Sequence, residues 1–80
     1  MEKEKKIIVY SSPDCAYCYT LKGYLENQGK EYEEINIYED EQARKKMEEL
    51  SGQTSVPVTV IGDEVIVGWN KEKINNLLGI

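Results

Sequence analysis

The 80-residue sequence contains no histidine. Imidazole is the commonest general base and metal ligand near neutral pH, so any chemistry here has to run without it. There are only two cysteines, Cys15 and Cys18, too few for the disulfide framework of a small secreted domain. Positive charge is scarce: ten Lys and Arg stand against fifteen Asp and Glu, a formal net charge of −5. Such a chain repels phosphate backbones and anionic lipid surfaces, which counts against nucleic-acid and membrane partners. Long apolar runs are missing too. The stretch Ile7 to Tyr10 is four residues long, against about seven for a signal-peptide core and about twenty for a bilayer span. These absences together predict a cytoplasmic protein whose cysteines rest reduced.

What is present is ordinary for a folded domain: 40% hydrophobic and 31% charged residues, with the apolar ones in separated runs rather than diluted. The length suits one domain, residues 1–80, with no repeat, linker or low-complexity stretch. Lys5 to Tyr10 reads as a buried strand bounded by the turn-forming Ser11-Ser12-Pro13-Asp14. Cys18, Leu21, Tyr24 and Leu25 have helical spacing within Cys15 to Gln28, and Gly29 is a C-terminal cap candidate. Gly23 weakens that helix, which suggests a close-packed neighbour over it. Tyr32 to Tyr38 alternates like a strand. Glu39 to Leu50 carries a stripe of Ala43, Met47 and Leu50 and ends at Ser51-Gly52. Val56 to Ile61 and Glu64 to Val67 form a hairpin about Gly62-Asp63. Asn70 caps a last helix with Ile74, Leu77 and Leu78 inward. The order βαβαββα begins with a βαβ unit, whose strands must be parallel.

The chemistry lies in Cys15-Ala16-Tyr17-Cys18. Residues three apart share a helix face at a separation that a disulfide can span. Cys15 falls at the strand-to-helix junction, where free backbone N–H groups and the helix dipole favour a thiolate; Cys18, a turn deeper, is more buried. Asp14 opposes this if its charge faces the sulfur, and does not if it caps the helix. A zinc site needs four ligands, and a chain without further Cys or His supplies two. Two inert core cysteines are the bland alternative, and placement inside a βαβ unit favours redox chemistry over it.

These residues resemble the glutaredoxin family. Cys15-Ala16-Tyr17-Cys18 is similar to its Cys-Pro-Tyr-Cys, Thr54-Ser55-Val56-Pro57 to its Thr-Val-Pro loop, and Val67-Gly68 stands where a Gly-Gly pair is usual. The likeness runs from about Lys6 to Leu78. It implies a thioredoxin fold, an α/β architecture with a four-stranded mixed sheet flanked by three helices. It also implies a dithiol oxidoreductase with Cys15 as nucleophile and Cys18 as resolving thiol. Pro57 would be cis, with the Val56 backbone free to pair with an extended substrate. Glutathione would be co-substrate, with Gln53 on its glycine carboxylate and Tyr17, Ser55, Gly68, Trp69 and Asn70 around it. No tightly bound cofactor and no metal are implied, and a monomer is expected.

Several positions depart from the family. Ala16 keeps an N–H that proline would delete, Ser12 replaces a frequent basic residue, and Asn70-Lys71 replace an acidic pair that grips the glutathione amine. Gly68-Trp69 before a helix also resembles the Gly-aromatic step of the glutaredoxin-like electron donors of ribonucleotide reductase, which thioredoxin reductase recycles, although their Phe-Arg-Pro-Asp pattern is absent. The expected substrates are disulfide-containing or glutathionylated proteins, with glutathione or a flavoprotein reductase as electron source. A third reading, two chains bridging a [2Fe–2S] cluster through Cys15, predicts a coloured protein. Tyr10, Tyr24, Tyr32 and Tyr38 read as packing residues, Tyr19 as surface, and Arg44-Lys45-Lys46 as a solvated helix face.

Overall fold

A computed structural model describes residues 6–79. Seven elements follow the expected order: β1 (Ile7–Ser11), α1 (Ala16–Asn27), β2 (Glu33–Asn36), α2 (Glu41–Ser51), β3 (Val58–Ile61), β4 (Glu64–Val67) and α3 (Lys71–Leu78). The strands lie in the order β2-β1-β3-β4. The α1 crossover makes β1 and β2 parallel, whereas β3 runs antiparallel to β1 and to β4. This mixed sheet with three helices is the thioredoxin fold.

Alternation along β1 gives the sheet two apolar faces. Ile7 and Val9 join Leu21 and Leu25 of α1, Ile61, Ile66 and Ile74 of α3 in one core. Ile8 and Tyr10 face the other way, toward Ile37, Met47 of α2 and Val58. So α1 and α3 cover one face and α2 the other. The site lies at the end of the sheet where β1 runs into α1.

Local chemistry sets the boundaries. Asp40 caps α2 through the Ala43 N–H, and Asn70 caps α3 through the Lys73 N–H. Gly52 and Gly79 end these helices at φ of 72° and 73°, the left-handed region where glycine is favoured. At the start, Lys5 of the expected first strand lies outside the described residues.

Some expectations need correction. β2 stops at Asn36, because the Asn36 side chain accepts from the Tyr38 N–H and the Asn36 carbonyl from the Glu39 N–H, turning the chain before Tyr38. Leu50 is exposed. The inward position at the end of α2 goes instead to Ser51, whose single O–H lies within donating distance of the Met47 carbonyl at 2.7 Å and the Gln53 carbonyl at 3.0 Å. Nothing lies within 4 Å of where a Cβ on Gly23 would stand, so the expected close neighbour is not there. The β3 strand starts at Val58 rather than Val56.

Candidate active site

Cys15 is the N-cap of α1, with extended backbone at φ −105° and ψ 109°. Its Sγ accepts the backbone N–H of Cys18 at 3.1 Å, one of the first-turn donors that a helix leaves unpaired. The two sulfurs are joined as a disulfide, with Cα atoms 5.3 Å apart. The pair is unequal in access: Cys15 is half-buried, and Cys18 is 0% exposed. An N–H aimed at Sγ and the positive end of the helix dipole both stabilise a thiolate there when the pair is reduced.

Cys15 opens onto a groove of about 500 Å³, within the size range of small-ligand and peptide sites. Ser12, Asp14, Cys15, Ala16 and Tyr17 form one wall. Ile37, Tyr38, Arg44 and Glu48 form a second, and Thr54, Ser55 and Val56 a third. Tyr17 is 63% exposed and Tyr38 65%, so two phenol rings are available to an incoming chain.

Asp14 does not cap α1, since Cys15 holds that position. Its carboxylate accepts instead from the Ser12 hydroxyl at 2.8 Å and from the Tyr38 hydroxyl at 3.3 Å to each oxygen. The Ser12 hydrogen bond is the largest cause holding the Asp14 carboxyl below its usual range; slight desolvation opposes it, and its own backbone N–H and Tyr38 add to it.

The Val56–Pro57 bond is cis, and Val56 lines the same groove as Cys15. Among the described residues, neither the N–H nor the carbonyl of Val56 has a hydrogen-bond partner. Pro57 itself is buried, and its carbonyl accepts from Gly68 N–H at 2.8 Å, tying the loop to the end of β4.

The remaining sequence candidates sit differently. The Gln53 amide is engaged within its own loop, its Nε2 donating to the Ser55 carbonyl at 3.0 Å and its Oε1 accepting from the Ser55 N–H at 2.6 Å. Asn70 Oδ1 is committed to capping α3. Lys71 lies over the Tyr24 ring at 5.4 Å. Trp69 is half-buried against the α1–α3 core, edge-on to Tyr24 at 5.5 Å. Gln53, Pro57, Gly68, Trp69 and Asn70 are outside the groove lining.

Sequence reasoning missed Tyr38 and Arg44. Strand alternation placed Tyr38 among packing residues, but the turn at Asn36 swings it to the groove. The sequence signal for that turn was Asn36 two residues before Tyr38. Arg44, read as part of a solvated helix face, pairs with Glu48 at 2.7 Å and lines the second wall. Among the described residues, no group of three or more His, Cys, Asp and Glu side chains could hold a metal ion.

A model of the glutaredoxin family matches residues 7–66, from β1 through the cysteine pair and the Pro57 loop into β4. The chain belongs to the glutaredoxin family. It is 38% identical over 72 residues to an uncharacterized glutaredoxin-like 8.6 kDa protein of the rubredoxin operon of Clostridium pasteurianum, covering 90% of this chain and 96% of that protein. The crystal structure of a glutaredoxin from Archaeoglobus fulgidus superposes with a TM-score of 0.82 at 31% identity, covering 91% of this chain and 85% of that one. The glutaredoxin-like NrdH-redoxin of Escherichia coli, described for its thioredoxin-like activity profile, has a TM-score of 0.82 at 30% identity, covering 90% and 93%. Glutaredoxins are thiol–disulfide oxidoreductases, and this chain carries their cysteine pair at the helix start. It is an oxidoreductase of that kind.

Proposed function

We propose that this glutaredoxin acts as a monomeric, single-domain dithiol reductant of protein disulfides, with Cys15 as nucleophile and Cys18 as resolving thiol. The observation that carries the assignment is the asymmetry of the pair: Cys15 opens onto a groove beneath an aligned N–H, and Cys18 is wholly buried. Cys15 thiolate attacks a substrate sulfur and forms a mixed disulfide while the leaving thiolate takes up a proton. Cys18 then displaces the substrate from Cys15, and the protein is left oxidised. The unpartnered Val56 backbone supports a strand-like contact with the substrate. Tyr17 and Ser55 line the same groove, with Pro57 and Gly68 holding the loop beneath it.

The choice of reductant turns on which polar groups near Cys15 are free. Glutathione needs a carboxylate-binding donor and an amine-binding acceptor. The Gln53 amide is occupied within its loop, and Asn70 Oδ1 caps α3. Those occupied groups favour recycling by a flavoprotein reductase of the thioredoxin reductase class, with glutathione and its mixed disulfides as poorer co-substrates. The likeness to a redoxin of thioredoxin-like activity supports the same reading. That reading also suits an electron donor to a ribonucleotide reductase. An acidic chain with one dithiol suits a reducing compartment such as the cytoplasm, and no helix among the described residues is long and apolar enough to cross a membrane.

The test pairs two variants with two electron sources. Cys15→Ser is expected to abolish turnover of every substrate. Cys18→Ser is expected to lose reduction of protein disulfides while keeping some turnover of glutathione mixed disulfides, where free glutathione resolves the intermediate. An NADPH-coupled assay should run faster with thioredoxin reductase than with glutathione and its reductase. Activity surviving Cys15→Ser would overturn the assignment, and the reverse order of reductants would return glutathione to first place.

A further inference from the structure

The groove beside Cys15 carries three charged side chains. Arg44 and Glu48 sit one turn apart on α2 and pair with each other at 2.7 Å, so their charges largely cancel. Asp14 has no ion-pair partner among the described residues. Two hydroxyls hold it instead, from Ser12 and from Tyr38. Hydroxyl donors fix a carboxylate in place without neutralising it. A carboxylate has about four acceptor sites, and these bonds leave part of that capacity free. An oriented negative charge therefore stands one residue from the reactive sulfur, on an exposed surface.

We propose that Asp14 is a specificity-determining residue, selecting protein disulfides with a Lys or Arg side chain beside the attacked cysteine and disfavouring anionic ones. The proposal rests on Cys15 being the attacking sulfur. Asp14, Cys15 and Val56 line one groove, so a substrate segment paired along Val56 with its sulfur at Cys15 carries its neighbouring side chains in the groove that Asp14 lines. A cation there gains an ion pair while the Cys15–substrate bond forms and the substrate disulfide breaks. A carboxylate there is repelled, and glutathione disulfide, with four carboxylates against two ammonium groups, is a net anion. Charge complementarity of this sort acts chiefly on encounter and on the choice of partner.

The experiment uses three short peptide disulfides that differ only in the residue beside the cysteine: Lys, Ser or Glu. Pre-reduced protein is mixed with each in single turnover, so the two electrons of the dithiol pass to the peptide and no recycling system is needed. The Lys peptide should react about four- to tenfold faster than the Glu peptide at low salt, the reach of exposed charge pairs of both signs. The preference should fade at about 1 M salt, where screening acts within a few ångströms. Asp14→Asn should bring the ratio close to one, whatever it does to the common rate through the Cys15 thiolate. Tyr38→Phe keeps the charge but loosens it, and should retain part of the ratio. An unchanged ratio in Asp14→Asn, or equal rates for the Lys and Glu peptides in the unmodified protein, overturns the proposal. Failure of the unmodified protein to reduce even the Ser peptide overturns the underlying assignment of Cys15 instead.

Discussion

Tyr32 shows how a single side chain records its surroundings. Burial, followed by its hydrogen bond to Glu26 and the charges of Glu26 and Glu34, pushes its phenol up to about 12. Tyr10 moves in the same direction, from burial first and then from Glu33. A raised value means that the fold favours the neutral phenol. That contribution to stability is fully present below the ordinary value of 10.0 and is lost as pH rises through about 12. The near-ultraviolet phenolate signal of Tyr32, taken as the difference between the unmodified protein and Tyr32→Phe, should therefore rise with a midpoint near 12. A midpoint near 10 would mean that the ring stands in water. At this scale the sequence announced the reactive pair, because no other residue type does what two cysteines three apart at a helix start can do. It misled on Tyr38, which alternation placed among packing residues but whose position depends on a turn and on a carboxylate 24 residues away.

The elements were legible where their ends carry side-chain chemistry. Asn70 starts α3 by accepting a first-turn N–H and Gly52 stops α2, both as read from the sequence; Asp40 and Gly79 close the other two ends in the same way, and the sequence reading did not single them out. Periodicity was weaker where one position competes with its neighbour, as Ser51 does with Leu50 for the inward side of α2. Gly23 shows the limit of reading a residue by its rarity in helices. Mid-helix glycine usually has a packing reason, but here the space above it is open. Gly23→Ala should accordingly stabilise α1, by about 0.5–1 kcal/mol. The check is an increase in the urea midpoint with an unchanged slope; a decrease would reveal an obstruction or a need for backbone freedom at that turn.

For the whole molecule, the order of elements followed from periodicity and turn residues, whereas the path by which distant loops meet did not. Nothing local tells the Pro57 loop to face Cys15; that follows from β3 lying beside β1 in the sheet. The same juxtaposition puts Thr59 between Val9 and Ile66 in neighbouring strands, on the apolar face covered by α1 and α3. Its hydroxyl oxygen is buried without a hydrogen-bond partner, alone in this among the described side chains. Leaving such a group unpaired is costly, so Thr59→Val should raise stability by about 1–2 kcal/mol, read from chemical denaturation. A loss instead would indicate that the hydroxyl is satisfied in solution. The pairing of Val9 with Thr59 also bears on synthesis. The central strand leaves the ribosome with one neighbour soon to follow and the other about fifty residues behind. At ordinary translation rates that delay is roughly 3–10 s. Until that strand arrives the chain holds both cysteines without the Val56 wall, so the site is completed by one of the last pieces of the sheet to be made.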